Sequence, residues 1–114
     1  MSRAPEGWDF VKVGGIYQYK EDWFIGIVEV LEDNSTDEYY SFKLNVLQST
    51  HELSIFDVSY KKEEKGYYSG MSQFYDYPEY VMLPLGTPWK YDYIKDDPEK
   101  MKLVNEFMNR EYKF

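Results

Sequence analysis

Two long strand patterns on either side of an acidic loop constrain this chain more than any other feature of its sequence. Residues 39 to 47 alternate between apolar and more polar side chains, which predicts a strand with one buried face. Its apolar parity holds Tyr40, Phe42, Leu44 and Val46. Residues 23 to 31 are largely apolar at both parities, with Phe24, Val28 and Val30 on one and Trp23, Ile25 and Ile27 on the other. This second pattern indicates a strand that is buried on both sides or bends midway, and Gly26 is the natural place for a bend.

The segments that flank these two patterns extend the β-rich region. Residues 1 to 10 predict an N-terminal arm that enters the fold at Trp8 and Phe10, where a weak alternation allows a short first strand. The pair Gly14-Gly15 then breaks the pattern. Residues 53 to 60 predict a further long strand. We therefore expect a β-rich body over residues 11 to 95.

The C-terminal segment, residues 97 to 112, predicts the only helix. Asp97 is a good N-cap, Pro98 suits the first helical position, and Glu99 suits the positive end of the helix dipole. An apolar stripe follows at helical spacing, made of Met101, Val104, Phe107, Met108 and Tyr112, with Leu103 at its margin. Because such a stripe needs a partner, we expect the helix to lie against the β-rich body.

The composition limits the class of protein. A length of 114 residues fits one domain, residues 1 to 114, that folds without metal ions or disulfides to hold it together. The chain contains no cysteine, which excludes disulfides, zinc–thiolate sites and a cysteine nucleophile. It also lacks an apolar run that could span a bilayer, and no signal-peptide core follows residue 1. We therefore expect a cytoplasmic protein with no membrane partner. Its abundant lysine and tyrosine are typical of an AT-rich genome, such as that of a low-GC bacterium or its phage.

The acidic segment between Glu21 and Glu38 is the strongest functional signal. It contains seven carboxylates and no lysine or arginine, in a chain whose formal net charge is −8. Three interpretations remain open: a solvated hairpin tip, a surface that docks on a basic partner, and a calcium loop. The calcium interpretation is the weakest, because the turn glycine is missing and Leu44 replaces the bidentate glutamate. The predicted acidic contact residues are Glu21, Asp22, Glu32, Asp33, Asp37 and Glu38.

Aromatic residues make up 20% of the chain, more than a core of this size can hide. Many lie in a tyrosine-rich tract after residue 66, where the predicted contact residues are Tyr67, Tyr68, Tyr75, Tyr77 and Trp89. These rings could pack in the core, form a surface for protein contact or self-association, or build a cage for a methylated cation. The tract has few neighbouring lysines, which argues against direct nucleic-acid binding.

Catalysis has little support in the sequence. His51 is the only histidine and lies beside Glu52 in a polar loop, which is typical of a surface residue. Ser69 lacks the strand–turn–helix pattern of a nucleophile elbow. No phosphate-binding glycine loop and no metal-ligand pair at useful spacing is present. We therefore expect a protein that is not an enzyme and uses no metal or cofactor.

The run Val11-Lys12-Val13-Gly14-Gly15-Ile16-Tyr17 and the two strand patterns after it resemble SH3-like small barrels of the Tudor or KOW type. The resemblance covers residues 11 to 60 and implies a barrel that binds peptides, methylated side chains or nucleic acid. In composition the chain also resembles phage-encoded inhibitors of nucleic-acid enzymes.

Together these patterns predict a mostly β (α+β) protein: a small SH3-like barrel or strongly bent antiparallel sheet with one C-terminal helix. The predicted function is a non-catalytic interaction module whose acidic hairpin docks on a basic protein, in the manner of a phage-type inhibitor or nucleic-acid mimic. The alternative is a ligand-binding barrel that recognises a peptide or methylated side chain through its tyrosine-rich surface.

Overall fold

The computed structural model describes residues 8–21, 23–62, 73–78 and 90–110. These ranges contain six strands and one helix: β1 Ile16–Glu21, β2 Phe24–Asp33, β3 Tyr39–Ser49, β4 Ile55–Lys61, β5 Gln73–Tyr75, β6 Tyr91–Asp92 and α1 Pro98–Met108. The predicted fold class, mostly β with a single C-terminal helix, is confirmed. Within the same ranges, no helix is long and apolar enough to cross a membrane.

The strands form one curled antiparallel sheet, a half-barrel, in the order β4-β3-β2-β1-β5. The short strand β6 pairs with the end of β3, beyond the part of β3 that pairs with β4. The pairing of β2 with β3 shifts register between Ile27 and Val28 and again between Val30 and Glu32. Such bulges bend a strand and increase its twist, so they account for the curl of the sheet at its centre.

Gly26 lies inside β2, directly before the first of these bulges. A Cβ atom at this position would lie 2.7 Å from the ring of Phe24 and 3.0 Å from the carbonyl oxygen of Gln48. A side chain therefore has no room here, and the close approach of neighbouring groups explains the glycine. The prediction that Gly26 occupies a strand bend rather than a turn is confirmed.

The concave face of the sheet encloses a core of aromatic rings centred on Trp8. The indole of Trp8 is 2% exposed and lies 4.8 Å from the ring of Phe74 and 4.9 Å from that of Tyr60, centroid to centroid. The short first strand allowed by the sequence is wrong, because residues 8 to 10 form a turn in which the N–H of Val11 donates to the carbonyl of Trp8. Burial of a large ring inside the curl overrides the weak local alternation.

The convex face of the sheet carries the helix. Val104 and Phe107 are buried against a second apolar cluster that contains Ile16, Ile27, Leu47 and Ile94. The carboxylate of Asp97 accepts a hydrogen bond from the N–H of Lys100 at 3.2 Å, which is the predicted N-cap.

Only part of the apolar stripe of the helix packs against the sheet. Met108 packs at the edge of the second cluster, but Met101 and Leu103 are 38% and 41% exposed, so the prediction that Met101 belongs to the buried stripe is wrong. The apolar arc of the helix is wider than its contact with the sheet, and residues at both margins of the arc stay in solvent. Tyr112 lies outside the described residues.

Candidate functional site

Residues 32 to 38, here called the acidic loop, comprise the last two residues of β2 and the turn that joins β2 to β3. Its carboxylates, those of Glu32, Asp33, Asp37 and Glu38, are all exposed. Backbone hydrogen bonds hold the loop: the N–H of Asn34 donates to Ser41 at 2.7 Å, and that of Thr36 donates to Tyr39 at 2.8 Å. The hydroxyl of Thr36 also accepts hydrogen bonds from the N–H groups of Glu38 and Tyr39. The loop therefore presents its carboxylates on a defined backbone.

The side chain of Asp33 also helps to hold the acidic loop in shape. Its carboxylate accepts the N–H of Ser35 at 3.0 Å. Hydrogen bonds from the side chain and backbone of Ser35 lower the pKa of Asp33 below its ordinary value, and the positive charges of Lys62 and Lys12 act in the same direction. Asp33 consequently stays ionised well below neutral pH and fixes the first turn of the loop.

The structure separates the predicted acidic residues into two groups. Glu21 pairs with Phe24 at the β1–β2 turn, whereas the acidic loop begins at the opposite end of β2. A strand of this length spans about 30 Å at roughly 3.3 Å per residue. Glu21 therefore does not join the acidic loop, and Asp22 lies outside the described residues.

Glu29, between the two groups, is half-buried under the helix. Its carboxylate lies 3.7 Å from the ammonium of Lys100 and accepts a hydrogen bond from the side chain of Asn45 at 3.3 Å. Its negative charge is therefore paired with groups of the protein itself.

Lysines from neighbouring segments lie close to the acidic loop, although none lies within its own stretch of sequence. Lys43 pairs directly with Glu32 across the β2–β3 hairpin. The backbone N–H of Lys62 donates to the carbonyl of Glu38 at 2.9 Å, and its ammonium lies 5.0 Å from the centre of the Tyr40 ring. The loop is thus an acidic tip with lysines at its base, not an unbroken negative surface.

The tyrosine-rich tract divides between core and surface. Phe74 is buried among the rings of the inner core, whereas Tyr75 and Tyr77 are half-buried and meet edge to face at 5.6 Å. Further along, the rings of Tyr91 and Tyr93 stack at 6.3 Å, and Tyr93 is 44% exposed. The other predicted contact residues of the tract, Tyr67, Tyr68 and Trp89, lie outside the described residues.

Trp23 is a surface residue that the sequence pattern places wrongly. Its apolar neighbours predict a position within a strand buried on both sides, but Trp23 lies in the turn before β2 and is 52% exposed. Its ring meets those of Phe24 and His51, each at 5.5 Å. Its place beside the Glu21-Asp22 pair, at the start of the apolar run, is the signal that indicates a turn. His51 itself is exposed, as expected.

The described ranges contain no group of three or more histidine, aspartate or glutamate side chains that could hold a metal ion. The curled half-barrel is compatible with a small barrel, which is the general part of the resemblance seen in the sequence. No protein-family model, curated protein or solved structure matches the chain.

Proposed function

We propose that this protein is a non-catalytic interaction module whose acidic loop docks on a basic surface of another protein. The observation that supports the proposal is the exposure of four carboxylates on a loop that hydrogen bonds already hold in shape. Binding through an ordered loop loses less conformational entropy than binding through a disordered one. The formal net charge of −8 adds long-range attraction toward a positively charged partner.

The lysines at the base of the loop contribute to specificity. A partner that placed its own basic residues against Lys43 or Lys62 would be repelled, whereas one that meets the tip is attracted. The arrangement therefore favours an approach along the hairpin axis. A nucleic-acid mimic, in which these carboxylates take the place of phosphates on a nucleic-acid enzyme, is the narrower form of the proposal.

A charge-reversal variant tests this proposal. The loop variant changes Glu32, Asp37 and Glu38 to lysine but keeps Asp33, whose carboxylate holds the N–H of Ser35. A control variant reverses three exposed carboxylates on or beside the helix, those of Asp96, Glu99 and Glu106, and so has the same net charge. Each protein is immobilised and used to capture proteins from a low-GC bacterial lysate at low and high salt.

The proposal predicts basic proteins that bind the wild type and the control variant, leave at high salt, and are lost with the loop variant. Equal capture by the loop variant, with its fold intact by circular dichroism, would contradict it. Equal loss from both variants would show that only net charge matters, which also contradicts docking by the loop.

The second candidate function is a ligand-binding small barrel of the Tudor or KOW type. The half-buried, edge-to-face pair of Tyr75 and Tyr77 favours it, because such rings can form part of an aromatic site. Titration with a trimethyllysine peptide and its unmethylated counterpart tests this function. Binding that prefers the methylated peptide, resists salt and is lost in Tyr77→Ala would support recognition of a methylated side chain. Equal binding of both peptides that is lost in Tyr77→Ala would restrict the function to peptide recognition, and no binding of either peptide, or binding that Tyr77→Ala leaves unchanged, would contradict it.

A further inference from the structure

We propose that Trp23 anchors a second docking contact, which takes an arginine side chain of a protein partner. The inference rests on the proposed function, because it adds a contact for the same kind of basic partner. The new site lies at the β1–β2 turn, about 30 Å from the acidic loop along β2 at roughly 3.3 Å per residue. The two contacts can therefore be tested separately.

The surroundings of Trp23 hold its ring in place while leaving it accessible. Phe24 and His51 support the indole at steep interplanar angles, 64° and 80°, and the side chain is still 52% exposed. The imidazole of His51 is held in turn, since its Nδ1 lies 2.9 Å from the hydroxyl of Thr50. That hydroxyl accepts the N–H of Ile25 at 3.2 Å, which ties the segment to β2. A large aromatic surface fixed in this way loses little entropy on binding.

The charges around the ring select the chemistry of the partner. Glu21 lies in the same turn, where its carboxylate accepts the hydroxyl of Tyr19 at 2.8 Å, and the exposed Glu52 follows His51. The two segments that meet at the indole thus contribute two carboxylates and, through Lys20 opposite Ile25, one lysine, and this excess of negative charge favours a cation over an anion. Arginine fits best, because its guanidinium can lie flat on the indole while its N–H groups donate to carboxylates.

Within the described residues, the protein's own cations do not occupy this ring. Lysine and arginine side chains lie over Tyr40, Tyr91 and Phe107, and none of the described cations lies over Trp23. The described cations therefore leave the indole open to a cation from a partner.

Two short peptides test the inference on the full chain. One is acetyl-Gly-Arg-Ala-Arg-Gly-amide; the other replaces both arginines with citrulline, which has nearly the same shape but no charge. Binding is followed by the ¹⁵N–¹H signals of the Trp23 indole and of the backbone amides of Ile25 and His51. We expect saturable shifts with the arginine peptide and much smaller shifts with the citrulline peptide.

Trp23→Ala should weaken binding of the arginine peptide by about 2- to 5-fold, as expected for a cation–π contact at an exposed site. Trp23→Phe should retain part of the affinity, and Glu21→Gln with Glu52→Gln should reduce it. Equal shifts with both peptides, unchanged affinity in Trp23→Ala, or no shift of these signals would overturn the inference.

The loop variant separates this inference from the proposed function. It leaves the Trp23 turn intact, so the shifts at Trp23 should persist in it. If the amides of Ser35 and Thr36 respond to the arginine peptide and Trp23 does not, the second contact is wrong and the acidic loop stands. If Trp23 responds and the amides of Ser35 and Thr36 do not, the Trp23 contact stands and docking by the acidic loop is wrong.

Discussion

Trp8 offers a severe test of the inner core, because one side chain touches rings from four strands. Its indole is 2% exposed and contacts Tyr19, Tyr40, Tyr60 and Phe74, which belong to β1, β3, β4 and β5. Truncation of a buried tryptophan to alanine costs about 3–5 kcal/mol, through lost burial and the cavity that remains. A domain of ordinary stability has about 5–15 kcal/mol in total. Trp8→Ala should therefore remove a large share of the free energy of unfolding.

Urea unfolding followed by far-ultraviolet circular dichroism measures this loss, since fluorescence would change with the tryptophan itself. Val13→Ala is the matched control: it lies in the same N-terminal segment but is 57% exposed, and should change stability by less than about 0.5 kcal/mol. Trp8→Phe should fall between the two. A loss of unfolding free energy below about 1 kcal/mol in Trp8→Ala would refute the role of this ring as the centre of the core, because side chains around a cavity of that size relax only partially.

Three further predictions concern the helix, the bend and the loop. Phe107→Ala should cost about 3–5 kcal/mol in urea unfolding, and Met101→Ala less than about 1 kcal/mol; similar losses would mean that the helix docks on another face. Gly26→Val should destabilise by at least about 1–3 kcal/mol, because its side chain must displace the ring of Phe24; unchanged stability would contradict the tight bend. Because the folded-state pKa of Asp33 is lowered, its carboxylate stabilises the fold above the unfolded-state pKa, and this contribution is lost as the pH falls through the folded-state value. Asp33→Asn should therefore lower the urea midpoint at pH 7, and this difference should shrink as the pH falls below the unfolded-state pKa; a difference that does not change with pH would assign the effect to shape instead of charge.

Local patterns predicted the strands, the bend and the helix start, because each depends on near neighbours. The alternation in residues 39 to 47 sets which side chains face the core, since the period of a strand is two. Gly26 marks the bend because only a residue without a side chain fits there. Asp97 marks the helix start because its carboxylate caps an N–H three residues away.

The remaining features depend on contacts between residues that are distant in the sequence. Lys43 and Lys12 approach the acidic loop only after the sheet has formed, so a count of charges along the chain overstates its negative character. Trp8 lies in a turn and not in the weakly indicated strand, because its ring is buried inside the curl of the sheet. Trp23 follows an apolar pattern but lies in a turn, and composition alone does not separate a buried aromatic residue from an exposed one.

The association rate of a captured basic protein tests the docking of the acidic loop most directly. Rates would be measured by stopped flow at several ionic strengths for the wild type, the loop variant and the control variant. Docking through the loop predicts that the loop variant associates at least about 10-fold more slowly at low salt and loses most of its salt dependence, while the control variant keeps a steep one. Equal rates and equal salt dependence for the loop variant and the wild type would contradict the account.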